Sequence, residues 1–257
     1  MHLRPGLKLY STNTDLLPDV RHAADVGLFS YVELYAVPGS YENCAAHFQN
    51  FPLPVTIHGP HFGHGVNISH PDFFSKNVEL IRDARLFADL FDSPWIILHG
   101  GFGGTVAEVV RQGALFEEPR LVIENVPKVG LDDQSCVGYT PEQVAIIAES
   151  QGFSGFVLDV GHAIYAANAL KTDWKLFLQR FFQMNPVGFH LSDGDLSSVQ
   201  DRHEGFGNGD FPLGEILQAL PDNAWVTIET PKDLSFGLRD FQRDMEKLRS
   251  IADGSSL

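Results

Sequence analysis

FVLDVGH, residues 156–162, is a short apolar run that closes on an acid, passes through a glycine and delivers a histidine. It is too short for a helix, and its composition fits a strand buried on both faces, as in a parallel sheet. The same form appears on either side of it, in LVIEN (121–125) and VGFHLSD (187–193). Further out lie LKLYS (7–11), YVELYA (31–36), VTIHG (55–59), WIILHG (95–100) and WVTIET (225–230). The reading of this one stretch therefore extends to eight strands spread along 257 residues.

Helical patterns fill the gaps. Residues 14–26 carry an apolar face of Leu16, Leu17, Val20, Ala23 and Ala24, and residues 71–91 form a longer amphipathic segment. Thr140 reads as an N-cap, with Pro141 at the first helical position and Gln143 completing a capping box. Further helices are expected near 105–115, 164–184, 213–220 and 233–252, where the Trp174, Phe177, Phe181 and Phe182 spacing suits packing onto a sheet. Eight strands alternating with helices predict a (β/α)8 TIM barrel, one α/β domain over residues 1–257. An open doubly wound sheet is the alternative, but no glycine-rich dinucleotide fingerprint follows the first strand.

The strand ends carry the chemistry. In order they deliver His58, His99, Glu124, Asp159 with His162 just beyond, His190 and Glu229. In a parallel barrel the carboxyl ends of the strands meet at one mouth, where active sites are built. A single His or acid closing a strand is ordinarily a hydrogen-bonded structural group. A succession of them would crowd carboxylates and imidazoles together, and burying carboxylates uncompensated costs on the order of several kcal/mol each. Divalent cations remove that cost, because imidazole and carboxylate are ligands that Zn, Mn and Fe accept. Cysteine is missing from the set, which favours a catalytic over a structural metal site. The loop after the seventh strand adds DRHEGFGNG (201–209), whose Asp201 and His203 can both face inward and whose glycines allow tight turns.

The series His58, His99, Glu124, Asp159, His162, His190, Asp201, His203 and Glu229 resembles the ligand set of the endonuclease IV (AP endonuclease family 2) group of the xylose isomerase-like barrels. IEN, LDVGH, FHLSD, DRHEGFGNG and IET occur in that group's order along nearly the whole chain. The resemblance implies three divalent ions, zinc or else Mn or Fe. His58, His99 and Glu124 would hold one. Glu124 would bridge to a second, shared with Asp159, His190 and Glu229, while His162, Asp201 and His203 would hold the third. It further implies phosphoester hydrolysis. Glu124 and Glu229 would be the catalytic pair, the first holding the bridged geometry and the second orienting or deprotonating water. The sugar isomerases and epimerases of the same barrel are similar too, and imply one metal on Glu124, Asp159, His190 and Glu229 with the two glutamates moving protons.

Charge bears on the substrate. The formal net charge is −15, and no Lys or Arg occurs from His22 to Ser75. Nucleic-acid binding draws on Lys and Arg, and only Lys128, Arg202 and Lys232 are placed near the mouth. Damaged DNA is thus a weak expectation beside a small-molecule phosphoester or a sugar. His61 and Arg202 are candidate substrate contacts, with Phe62 and His64 beside His61 as stacking or packed loop residues. Glu33 shares a barrel face with Tyr31 and Tyr35 and is expected in a buried hydrogen bond to a tyrosine, with a reach to the mouth as proton carrier or substrate contact as the alternative. His64 and His70 are expected to be surface or loop histidines. Gly100, Gly101, Gly103 and Gly104 lack the Lys-Ser/Thr of a P-loop and read as a tight turn. Two cysteines, no apolar leader and no run of the ~20 apolar residues that a membrane span needs predict a cytoplasmic protein without membrane contact or obligate protein partner.

Overall fold

Eight parallel strands close on themselves in sequential order, and the pairing of the first with the last excludes an open sheet. The strands are β1 (Arg4–Tyr10), β2 (Tyr31–Tyr35), β3 (Val55–His58), β4 (Ile96–His99), β5 (Leu121–Glu124), β6 (Phe156–Asp159), β7 (Gly188–Leu191) and β8 (Trp225–Ile228). Around them lie α1 (Leu17–Asp25), α2 (Tyr41–Cys44), α3 (Phe74–Leu80), α4 (Arg82–Phe91), α5 (Val106–Leu115), α6 (Pro141–Ala148), α7 (Val160–Leu170), α8 (Trp174–Phe182), α9 (Leu213–Ala219) and α10 (Arg239–Ala252). This computed structural model describes residues 3–252.

Each strand buries both faces, and the two faces do different work. Leu7, Leu9, Leu34, Ile57, Leu98 and Ile123 join the large apolar cluster formed with the helices. Ile97, Val122 and Val157 form a separate plug inside the barrel, packed with Trp95 and Val187. Below the plug, Tyr31 lies across Gly6, where a Cβ would come within 2.3 Å of its ring, and its hydroxyl meets Thr227 Oγ1 at 2.8 Å. The Arg4 guanidinium covers Trp225 at 3.9 Å. Side chains fill the barrel, so only its carboxyl end is free to hold a ligand.

Several boundaries differ from the sequence expectation, each for a local reason. β1 starts at Arg4 rather than residue 7, because Pro5 and Gly6, poor strand formers, still pair: Ser30 N donates to Pro5 O at 2.7 Å. The helix expected over 164–184 is two helices. Lys171 ends α7 in the left-handed conformation (φ 56°), and Asp173 starts α8 by accepting from Lys175 N and Leu176 N. Residues 71–91 likewise divide into a 3-10 turn, α3 and α4, with the break at Ile81. Thr140 caps α6 as expected, but the Gln143 side chain accepts from Gly138 N and Tyr139 N instead of from Thr140. Phe177 and Phe181 are buried and Trp174 and Phe182 pack against the same core. No helix among the described residues is long and apolar enough to cross a membrane.

Candidate metal centre

His58, His99, Glu124 and Asp159 end their strands, His190 is the penultimate residue of β7, and Glu229 follows β8 directly. His162 does not extend its strand. It sits in the first turn of α7, where Asp159 is the N-cap and accepts from His162 N at 2.7 Å. One carboxylate thus serves a helix cap and faces the mouth. All nine residues meet at one rim: Glu124 Oε2 lies 3.2 Å from His58 Nε2 and 3.1 Å from His99 Nε2. Glu124 Oε1 lies 3.2 Å from His190 Nδ1, and Asp201 Oδ2 lies 3.3 Å from His162 Nε2 and 3.1 Å from His203 Nε2.

Backbone carbonyls fix which imidazole nitrogen faces inward. A carbonyl can only accept, so the nitrogen bonded to it carries the proton. His58 Nδ1 donates to Gly59 O at 2.6 Å, His162 Nδ1 to Asn125 O at 2.9 Å, and His203 Nδ1 to Glu229 O at 3.0 Å. In each ring Nε2 is left pointing at the carboxylates. Orientation of this kind is what metal-ligating histidines receive from their surroundings.

The site fits divalent cations on a second count. Buried polar atoms are nearly always hydrogen-bonded, yet Glu124 Oε1, Asp159 Oδ2, Asp201 Oδ1, His190 Nδ1 and Glu33 Oε1 have no hydrogen-bond partner. Four groupings among the described residues bring one donor atom per residue within 4.8 Å of one another: His58, His99 and Glu124; Glu124, Asp159 and His190; Asp159, His162 and His203; and Glu33, His58 and Glu229. The third grouping contains Asp159 where the family resemblance implies Asp201. Asp201 instead bonds to both of that cluster's imidazoles.

Lys8 and Glu33 belong to the same rim. Lys8 Nζ bonds to Glu229 Oε1 and lies 3.3 Å from Glu33 Oε1. Glu33 is not hydrogen-bonded to a tyrosine, as its sequence neighbours suggested; the Tyr31 hydroxyl pairs with Thr227, and Thr227 Oγ1 donates to Glu33 Oε2 at 2.8 Å. Glu33 Oε2 also takes His190 Nε2 at 2.9 Å. The sequence carries a partial signal for Lys8, a charge between two leucines in a barrel strand, which sets it on the face opposite theirs without saying which face is interior.

Electrostatics follow from this packing. Burial opposes the charge on Glu33, but His190 and Lys8 outweigh it and hold the carboxyl near 2. Burial also opposes the charge on Lys8, yet Glu229, Glu33 and Glu124 raise its pKa above the usual lysine value. On His203 burial acts downward, while the hydrogen bond and charge of Asp201 push it up to about 9. His162 and His190 are raised in the same way by the acids around them, against their burial. A divalent ion would displace such protons. Asp159 moves upward, because its burial dominates.

Asp193 builds the loop that carries Asp201 and His203. It is buried, and its carboxylate accepts from Gly194 N, Gly207 N and Phe211 N at 2.9, 2.8 and 3.1 Å. The glycines of DRHEGFGNG have separate reasons: Gly207 has φ +79°, and a Cβ on Gly209 would come within 2.3 Å of Gly194 O. Tyr165 donates to Arg202 O at 2.7 Å, which pins the peptide between the two candidate ligands. The Arg202 side chain itself is exposed and the mouth is lined without it.

His61 does line the mouth, stacked on His99 with ring centroids 5.6 Å apart, and burial with the nearby imidazoles pushes it down to about 2. His64 is held by Tyr35, whose hydroxyl lies 2.9 Å from its Nδ1. Lys232 also lines the mouth, and burial brings it down to about 8; Lys128 does not line it. Close packing accounts for two of the glycines after His99: a Cβ on Gly100 would meet Val137 O at 2.2 Å and one on Gly104 would meet Ser69 O at 1.8 Å.

Comparison with known proteins agrees with this architecture. An endonuclease IV from Thermus thermophilus superposes with a TM-score of 0.67 at 20% identity, covering 95% of this chain and 99% of that one. A D-tagatose 3-epimerase-like protein gives 0.67 at 18% identity, covering 97% and 99%. A second Thermus thermophilus protein, soaked with zinc chloride, gives 0.66 at 19%, covering both chains fully. At these identities the likeness shows the fold alone. A search of the curated proteins finds no match. The sequence matches the family described as Xylose isomerase-like TIM barrel over residues 20–251, and the chain belongs to that family.

Proposed function

We propose that this chain is a divalent-metal-dependent phosphoester hydrolase, with small organic phosphoesters as its substrate class. The observation that carries this reading is the second set of ligands. His162 and His203 are each fixed by a backbone carbonyl and aimed at Asp201, beside the Glu124, Asp159, His190 and Glu229 set. Rings held in that way, outside the four residues one metal requires, suit a centre of several ions, with His58 and His99 on Glu124 as the remaining site. Bound there, divalent ions supply the Lewis-acid charge that phosphoryl transfer needs. Glu124 presents one oxygen to His58 and His99 and the other to His190, and would take part in holding neighbouring ions. Glu229, fixed through Oε1 by Lys8, is placed to orient an attacking water and take its proton.

The mouth supports a small substrate over abasic DNA. Among the described lysines and arginines, only Lys8 and Lys232 line it, and Lys8 is already engaged with two carboxylates. A cavity of about 400 Å³ has room for a small molecule.

One observation favours an isomerase or epimerase instead: Glu124 Oε1 and Glu229 Oε1 flank His190 Nδ1 at 3.2 and 3.1 Å, so two glutamates stand around one candidate ion. Metal counting with anomalous positions, together with assays on bis(4-nitrophenyl) phosphate, ketoses and abasic-site DNA, separates the readings. Three ions and phosphodiester cleavage that Glu124→Gln abolishes support the hydrolase. A single ion on Glu124, Asp159, His190 and Glu229 with ketose epimerisation overturns it, and nicking of abasic DNA moves the substrate to nucleic acid.

A further inference from the structure

Beside the candidate metal centre, the mouth opens into an annex of different chemistry. Its walls are Phe62, Phe102, Val126, Pro127, Leu131 and Cys136, with Gln134 as the polar exception, and it is partly open to solvent. His99, His162 and Asp201 border it, so its apolar surface adjoins candidate metal ligands. Phe62 and Leu131 remain 42% and 62% exposed. Large apolar side chains left open to solvent at the edge of a polar site mark a place where something binds.

The annex is built rather than incidental. The loop after β5 folds back as an antiparallel ribbon through Val129 and Ser135 and pairs with the β4 loop at Phe102 and Cys136. Gly103 N donates to Ser135 O at 2.9 Å and Val137 N to Gly101 O at 2.8 Å. Gly101 takes φ +91° and passes so close to Asn67 that a Cβ would meet Oδ1 at 2.2 Å. Asn67 in turn donates to Phe102 O at 2.9 Å and accepts from Phe102 N at 3.2 Å. The apolar wall is therefore held in place before any ligand arrives, which lowers the ordering cost of binding.

We infer that the annex is a specificity pocket for a planar apolar group, the size of an aryl ring, carried on the substrate next to its phosphoryl group. The inference rests on the phosphoester reading and adds the class of the organic substituent. A sugar or a sugar phosphate, with hydroxyls on every carbon, would leave its polar groups unpaired against these walls. An aryl or similarly flat ester buries apolar surface there while its phosphoryl oxygens stay at the ligand cluster.

Binding of two phosphonates, which cannot be hydrolysed, tests this on protein loaded with zinc or manganese. Isothermal titration should show phenylphosphonate binding at least about tenfold more tightly than methylphosphonate, as burial of a ring implies. Leu131→Ser and Phe62→Ala alter exposed side chains that are not metal ligands and add no charge to the mouth. Each should erase most of that preference while leaving methylphosphonate affinity and metal content unchanged. Equal affinity for the two phosphonates, or a preference that survives both substitutions, overturns the aryl pocket and leaves the hydrolase reading standing. Failure of both phosphonates to bind metal-loaded protein overturns the phosphoester reading itself.

Discussion

Glu33 Oε2 accepts a hydrogen bond from His190 Nε2 at 2.9 Å, although 157 residues separate them in the chain. That bond fixes the imidazole so that Nδ1, which has no hydrogen-bond partner, faces Glu124 and Glu229. A carboxylate behind a ligating histidine raises its basicity and fixes its ring. Glu33→Ala should therefore weaken binding of the ion at His190 by about 10- to 100-fold. Calorimetric titration with zinc reads this directly, and unchanged affinity would remove Glu33 from the metal's surroundings.

Lys8 has a different part, because it offsets charge. Its ammonium joins Glu33, which is buried, and Glu229, which is largely so. Lys8→Met leaves those carboxylates without their cation, and the metal-free protein should lose about 3 kcal/mol of stability. Saturating metal supplies positive charge to Glu229 by another route, so the loss should shrink in the loaded protein. Denaturant unfolding with and without metal measures both values, and an equal loss in the two states would contradict the argument.

Asp193 touches no candidate ligand, yet three backbone N–H groups of the loop around Asp201 and His203 converge on it. Asp193→Ala should cost about 3 kcal/mol, since hydrogen bonds to a charged acceptor are the strong ones and its donors are left buried. The metal held by His162 and His203 should be lost before the one held by His58 and His99. Site-resolved anomalous occupancies would show the order.

Away from the mouth, Glu118 is buried beneath Arg120 and Arg85, with Arg120 Nε at 2.7 Å. Burial pushes its pKa up, but the hydrogen bonds and charge of Arg120 outweigh this, and the carboxyl is held below its ordinary value. A depressed carboxylate contributes stability above its unfolded pKa, and that contribution disappears as pH falls through the folded value. Glu118→Gln should thus be less stable by about 1–2 kcal/mol at neutral pH, with the gap from wild type closing as the solution is acidified below pH ~4. A constant gap across that range would mean that packing, not charge, supports the position.

What was legible in the sequence was whatever repeats along the chain. Eight apolar runs with helical spacers specify a barrel, because each strand must bury both faces. The polar residues closing those runs mark the mouth, because parallel strands all end on the same side. Helix breaks were less legible: Lys171 takes a left-handed conformation that its side chain does not announce, while Asp173 two residues later could have been read as a cap. Lys8 went unassigned, and Glu33 was expected against a tyrosine, for a more basic reason. Both faces of a barrel strand are buried, one under helices and one inside, and alternation alone does not say which is which.

The sequence by itself determined the barrel and the row of nine candidate ligands at strand ends and in the loop after β7. Tertiary structure alone decided how those ligands are held: Gly59, Asn125 and Glu229 carbonyls select the free nitrogen of His58, His162 and His203, and Glu33 does so for His190. It also decided that Asp159 caps a helix, that the Arg202 side chain stays in solvent, and that an apolar annex adjoins the centre. Strand period is a local property of the chain, whereas a hydrogen bond across the barrel depends on closure, which brings residues far apart in sequence within hydrogen-bonding distance of one another.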